Sequence, residues 1–134
     1  MQNNYSIKSV RASSVLTGSY VAGTVIGPRG LNPSIDPVSN NQLVLYFDFT
    51  LGSLTSAELK VEFSDDGVNY YQETTSSLAS GTSTDKLTEH TISATGKYRL
   101  AFQICDRYIR VSVKGTGTVT NSLLAIDAII ATRI

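Results

Sequence analysis

The sequence predicts an all-β fold: a two-sheet antiparallel β-sandwich of about nine strands with Greek-key or jelly-roll-like connections. Three observations predict it. Apolar residues recur at every second position through most of the chain. Turn-forming residues punctuate these runs at the short intervals of antiparallel sheets. No stretch carries the 3.6-residue period of an amphipathic helix.

The elements follow in order. Residues 6–16 and 20–26 form N-terminal strands. In the next run Leu43, Leu45, Phe47 and Phe49 alternate with Val44, Tyr46, Asp48 and Thr50. Successive strand side chains point to opposite faces, so the first set faces a core and the second faces out. Leu59, Val61 and Phe63 alternate in the same way with Lys60, Glu62 and Ser64. Asp65, Asp66 and Gly67 then turn the chain into a strand over residues 68–72, because Asp-Gly between alternating runs favours a hairpin. Residues 74–85, rich in Ser and Thr, are expected to be a mobile surface loop. A weaker strand spans residues 87–92. Tyr98, Leu100, Phe102 and Ile104 alternate with Lys97, Arg99, Ala101 and Gln103, and Ile109, Val111 and Val113 with Arg110, Ser112 and Lys114. Gly115 and Gly117 break the chain before residues 123–130, which are apolar on both faces and predict a central or doubly covered strand. The expected core includes Leu43, Leu45, Phe47, Leu59, Val61, Phe63, Leu100, Phe102, Val111, Leu124 and Ile126.

Residues 27–41 break this pattern. They hold all three prolines, Pro28, Pro33 and Pro37, together with Leu31, Ile35 and Val38. Proline fixes φ and removes a donor, so this segment cannot join a central strand. It either folds back over one end of its own sandwich or forms an arm that docks on a neighbouring chain. In the second case Pro28, Leu31, Ile35 and Val38 are the interface residues. The 134 residues have the size of one domain, and no linker or repeat divides residues 1–134.

Composition narrows the function. Hydrophobic residues are 41% of the chain, which argues against wholesale disorder. Charged residues are only 16%, against about 25% in an average soluble domain. The polar surface is therefore built from Ser, Thr, Asn and Gln, whose burial in an assembly costs far less than burial of unpaired charge. Formal net charge is zero, and the densest basic cluster is Arg107, Arg110 and Lys114, so no nucleic-acid partner is expected. No apolar run is long enough to span a membrane, and the start of the chain has no leader character. Synthesis and folding are expected in a reducing cytoplasm. Cys105 is the single cysteine, so no internal disulfide forms.

No constellation carries catalysis. His90 is the single histidine and lies in a polar alternating stretch, and Cys105 has no nucleophile signature around it. Zinc needs three or four ligands that this chain does not cluster in sequence. Asp65 and Asp66 lack the further acidic partners of a calcium loop, and a turn accounts for them. The pair Gly115 and Gly117 lacks the helix a phosphate cradle requires. No catalytic, metal or cofactor-binding residue is predicted, and no cofactor. Seven tyrosines remain, which suit either sugar stacking or protein interfaces, and the lack of tryptophan weakens the first.

Residues 51–56 lead into Leu59, Val61, Phe63, Asp65, Asp66 and Gly67, followed by Lys97 to Leu100, Asp106 to Val111, and the Gly115–Thr118 stretch. Together these resemble small β-sandwich structural proteins of tailed bacteriophages, over residues 42–134. The resemblance implies a non-enzymatic virion protein of the capsid decoration or auxiliary type, made in the bacterial host cytoplasm. Its implied partners are the major capsid protein or other virion proteins, in a homo-oligomer or multi-copy assembly. The alternatives are a tail or neck component, or a carbohydrate- or host-surface-binding module.

Overall fold

A computed structural model describes residues 3–28, 41–104 and 106–133. The described residues form eleven strands and no helix. These are β1 (Asn3–Ser14), β2 (Val21–Ala22), β3 (Asn41–Thr50), β4 (Leu54–Ser64), β5 (Tyr71–Gln72), β6 (Thr74–Ala79), β7 (Thr82–Leu87), β8 (His90–Ile92), β9 (Gly96–Gln103), β10 (Tyr108–Gly117) and β11 (Leu123–Arg133). All paired strands are antiparallel. A front sheet has the order β1-β11-β3-β9, and a back sheet the order β2-β10-β4-β5 with β8 also on β4. The chain crosses between the sheets from β3 to β4, from β9 to β10 and from β10 to β11, so sequence neighbours pack face to face. This is the all-β arrangement the alternating runs predict.

The core lies between the two sheets. Leu43, Leu45, Phe47 and Phe49 of β3 meet Leu59 and Val61 of β4, Ile109, Val111 and Val113 of β10, and Leu124, Ile126 and Ala128 of β11. Of the expected core, Phe63, Leu100 and Phe102 are only partly buried. They sit at its margin, where Phe63 and Phe102 meet edge to face at 6.1 Å. As predicted, β11 is central in its sheet, but only one face is covered: Leu123 is exposed and Ile129 partly so.

Three segments depart from expectation. The strand count exceeds nine because residues 74–85 are not a loop: β6 and β7 form a hairpin in a register from Thr74↔Leu87 to Ala79↔Thr82. Its two-residue turn, Ser80 and Gly81, has φ of 51° and 76°. Positive φ at both positions matches the twist of the flanking strands, and Thr suits a pleated backbone. In residues 20–26 only Val21–Ala22 form a strand. Gly23 N–H then bonds Val111 O and Thr24 N–H bonds Val10 O, each at 2.8 Å, and Ile26 pairs with Ile109. This segment ties the back sheet to the front one. A Cβ at Gly23 would lie 2.7 Å from Val10 O, so the close approach requires glycine. In residues 68–72 only Tyr71–Gln72 pair with β4. The Asp66 carboxylate builds the wider loop by accepting from Ser64 Oγ, both backbone N–H groups of Val68 and Asn69, and Asn69 Nδ2.

Candidate interaction surface

Of the predicted arm residues, Pro28 is exposed and follows a cis bond from Gly27. Leu31, Ile35 and Val38 lie outside the described residues, as does Cys105. His90 is held at the core margin, with Nε2 3.0 Å from Glu73 Oε2 and its ring edge-on to Phe102. Asp66 is held well below the usual carboxylate range, first by the backbone N–H of Asn69 and then by that of Val68. Its acceptor capacity is directed into its own turn. Among the described residues no three His, Cys, Asp or Glu side chains group to hold a metal. Among them also, no helix is long and apolar enough to cross a membrane.

The two sheets present contrasting outer faces. Alternation predicts a wet outer face for β4, but Glu58 and Glu62 are only 8% exposed and Ser64 only 1%. Side chains both near and remote in sequence hold them, with Ser64 Oγ donating to Asp66 and accepting from Gly67 N–H. Glu58 accepts from Ser56 Oγ at 2.6 Å and from Thr116 Oγ1 at 3.0 Å. Arg110 grips Glu62 through Nε and Nη2, at 3.3 and 3.0 Å, and lies 4.0 Å over the Tyr70 ring. Such two-point contacts fix the guanidinium plane as well as its charge. Lys60 and Lys114 sit 4.7 and 4.9 Å from the Tyr20 ring, and the Tyr20 hydroxyl donates to Glu89. Burial first, and then the Glu89 carboxylate, push the Tyr20 phenol well above its ordinary range. The back face therefore satisfies its charges internally.

On the outer face of the front sheet, Lys97 and Asp48 pair, whereas Asp127 and Arg99 have no ion-pair partner among the described residues. The register aligns Ile7, Ile129, Val44 and Ala101 in one row across β1, β11, β3 and β9. Ile7 is 75% exposed. The adjacent row holds Ser9, Asp127, Tyr46 and Arg99, with Tyr46 42% exposed. In the row beyond, Ala125, Asp48 and Lys97 align, and Lys97 Nζ lies 3.8 Å from Asp48. A depression of about 380 Å³ lies among Tyr46, Asp48, Lys97, Arg99, Ala125 and Asp127. A second, of about 240 Å³, is bordered by Gln42, Val44, Arg99 and Ala101. Among the tyrosines whose exposure is described, the exposed ones lie apart: Tyr46 projects from β3 of the front sheet and Tyr71 from β5 of the back sheet.

No family model and no curated protein matches this chain in sequence. Among solved structures, the chain is similar to one from the infectious bursal disease virus Gx strain, at 8% identity and a TM-score of 0.53. That likeness covers 98% of this chain and 32% of the viral one, so the chain spans about a third of the viral chain's length. It is also similar to a chain of the disulfide-linked pili of Bacillus endospore appendages, at 11% identity and a TM-score of 0.46, over 100% of this chain and 92% of that one. The viral likeness is one of fold, an all-β architecture.

Proposed function

We propose that this chain is a non-enzymatic structural subunit of a multi-copy assembly, and specifically a small virion protein of a tailed bacteriophage. Its role is capsid decoration or an auxiliary function, through binding to the shell or to neighbouring virion subunits. The observation that carries this reading is the outer face of the front sheet, where an apolar row runs unbroken across four strands. An exposed, continuous apolar surface on a protein domain marks an interaction site. The low charge content and the fold shared with a chain from a virus support it. A sugar-binding module would need its exposed tyrosines on one platform, and Tyr46 and Tyr71 lie on different sheets. We further propose the segment from Pro28 through Leu31, Ile35 and Val38 as a second attachment element.

The test is to purify particles from the host that encodes the chain, count its copies by quantitative mass spectrometry and locate it by immunogold electron microscopy. Regular, stoichiometric label on the shell is expected. Label confined to neck or tail reassigns the partner, and particles free of the chain overturn the reading.

A further inference from the structure

We propose that the outer face of the front sheet pairs with the same face of a second copy of this chain, about a two-fold axis running along β3. This inference rests on the assembly-subunit reading and names the surface and the symmetry it uses.

The register supplies the argument. Asp127 of β11 and Arg99 of β9 flank Tyr46 of β3 in a single row. A two-fold axis along β3 exchanges the positions of β11 and β9 between facing copies. The second copy's Arg99 then lies over Asp127, and its Asp127 over Arg99. An isologous interface makes each contact twice, so one complementary pair becomes two. Neither charge has an ion-pair partner within the chain among the described residues. The same rotation sets Val44 against Val44 and the larger Ile129 against the smaller Ala101, which lets the apolar rows interdigitate. Asp48 meets its own copy near the axis, but each carries its neutralising Lys97 at 3.8 Å.

The alternative axis, across the strands through the Tyr46 row, sets Arg99 on Arg99 and Asp127 on Asp127. Like charges in contact suppress that arrangement, so the charge pattern selects one orientation. Facing sheets pack with strands within about 30° of each other, which the β3 axis permits. With the axis on β3, only β11, β3 and β9 of the two copies overlap, and three strands about 4.8 Å apart and about 30 Å long offer roughly 430 Å² per copy, with β1 and its Ile7 at the rim. That lies below the size of stable specific interfaces and in the range of weak, transient ones, so a weak, reversible dimer is expected.

The experiment is sedimentation velocity over a concentration series, with the full chain, the variants Arg99→Glu and Asp127→Arg, and their equimolar mixture. Both side chains are exposed, and unchanged circular dichroism and urea midpoints confirm intact folding. The full chain is expected to dimerise. Each variant alone should weaken the dimer about tenfold or more, because like charges then face each other. The mixture should recover it, since the introduced carboxylate faces the introduced guanidinium while Asp127 of one copy faces Arg99 of the other. A full chain that stays monomeric throughout the series overturns the proposal. So does a mixture no stronger than its components, which would assign the face to a different protein. Particle content is measured in parallel. A chain present in particles but monomeric refutes the pairing and leaves the subunit reading standing. A chain that pairs as described but is absent from particles refutes the subunit reading alone.

Discussion

Ser122→Ala should destabilise this protein far more than the loss of one small hydroxyl suggests. Ser122 is fully buried just ahead of β11. Its Oγ accepts from Leu16 N–H at 3.1 Å and donates to Val119 O at 2.6 Å. The hydroxyl thus pins the end of the first front strand region to the turn that starts the central strand. Alanine affects the two partners unequally. Val119 O keeps a bond from the Ser122 backbone N–H at 3.0 Å. Leu16 N–H has no such substitute, and Leu16 is 1% exposed, so water cannot replace the oxygen. An orphaned buried donor costs about 1–3 kcal/mol, and the lost bond to Val119 adds about 1, giving about 2–4 kcal/mol. That is a large share of the roughly 5–15 kcal/mol of a typical domain. Urea unfolding followed by circular dichroism is the assay, with Thr120→Ala at an exposed neighbouring position as control. The midpoint should fall with the slope unchanged. If Ser122→Ala unfolds within about 0.5 kcal/mol of the control, the hydroxyl pins nothing and the reasoning fails.

Three further outcomes are expected. Gly23→Ala places a methyl 2.7 Å from Val10 O and 2.9 Å from Val10 Cγ1, so the tie between the sheets must shift, at about 1–3 kcal/mol in the same urea assay. Tyr20 has its phenol pKa raised above the ordinary 10.0, so its contribution is complete below about pH 10 and is lost as pH rises beyond it. Stability curves from pH 8 upward should therefore fall more steeply for the wild type than for Tyr20→Phe, and parallel curves would remove Tyr20 from the account. Deleting residues 29–36 and bridging with glycine should leave folding intact but abolish incorporation into particles, and wild-type incorporation would end the attachment role of Leu31 and Ile35.

What the sequence made legible is what depends on one strand at a time. Alternation in residues 43–50 and 59–63 marks inward and outward side chains before any pairing is known, and Leu43, Leu45, Phe47, Phe49, Leu59 and Val61 are buried as it indicates, with Phe63 only partly so. The β6–β7 hairpin was hidden because its side chains make no hydrophobic pattern. Its one signal is the pair Ser80 and Gly81, which tolerates positive φ. The buried acids were hidden for another reason. Glu58 and Glu62 stand at outward positions, and only their coverage by Thr116, Arg110 and Tyr70, remote in sequence, takes them out of water. The candidate surface is a property of register. Ile7, Val44, Ala101 and Ile129 belong to four separate runs in the sequence, and only β1, β11, β3 and β9 align them.

The sparse charge of this chain is unevenly used, and that unevenness argues for a face rather than an edge as the site of association. Sheets can also associate through their edges, where unpaired backbone groups template another strand. Here both front-sheet edges are blunted. β1 carries two register irregularities, one between Ser9 and Arg11 and one between Arg11 and Ser14. The Arg11 guanidinium bridges that bulged end, bonding Leu124 O, Ser14 O and Val15 O. Further along, Thr24 N–H takes Val10 O, and Lys8 Nζ takes Val25 O, so residues 24–25 occupy part of the same edge. At the other edge, β9 bears Lys97 and Arg99, the type of charge that deters strand addition. On the back sheet Glu62 is held by Arg110, and Glu58 accepts from the Ser56 and Thr116 hydroxyls. On the outer face of the front sheet, Asp127 and Arg99 have no ion-pair partner among the described residues, and the row of Ile7, Ile129, Val44 and Ala101 lies beside them. Guarded edges beside an outer face that carries Ile7 exposed and Asp127 and Arg99 without an ion-pair partner among the described residues favour association through the face over association through an edge.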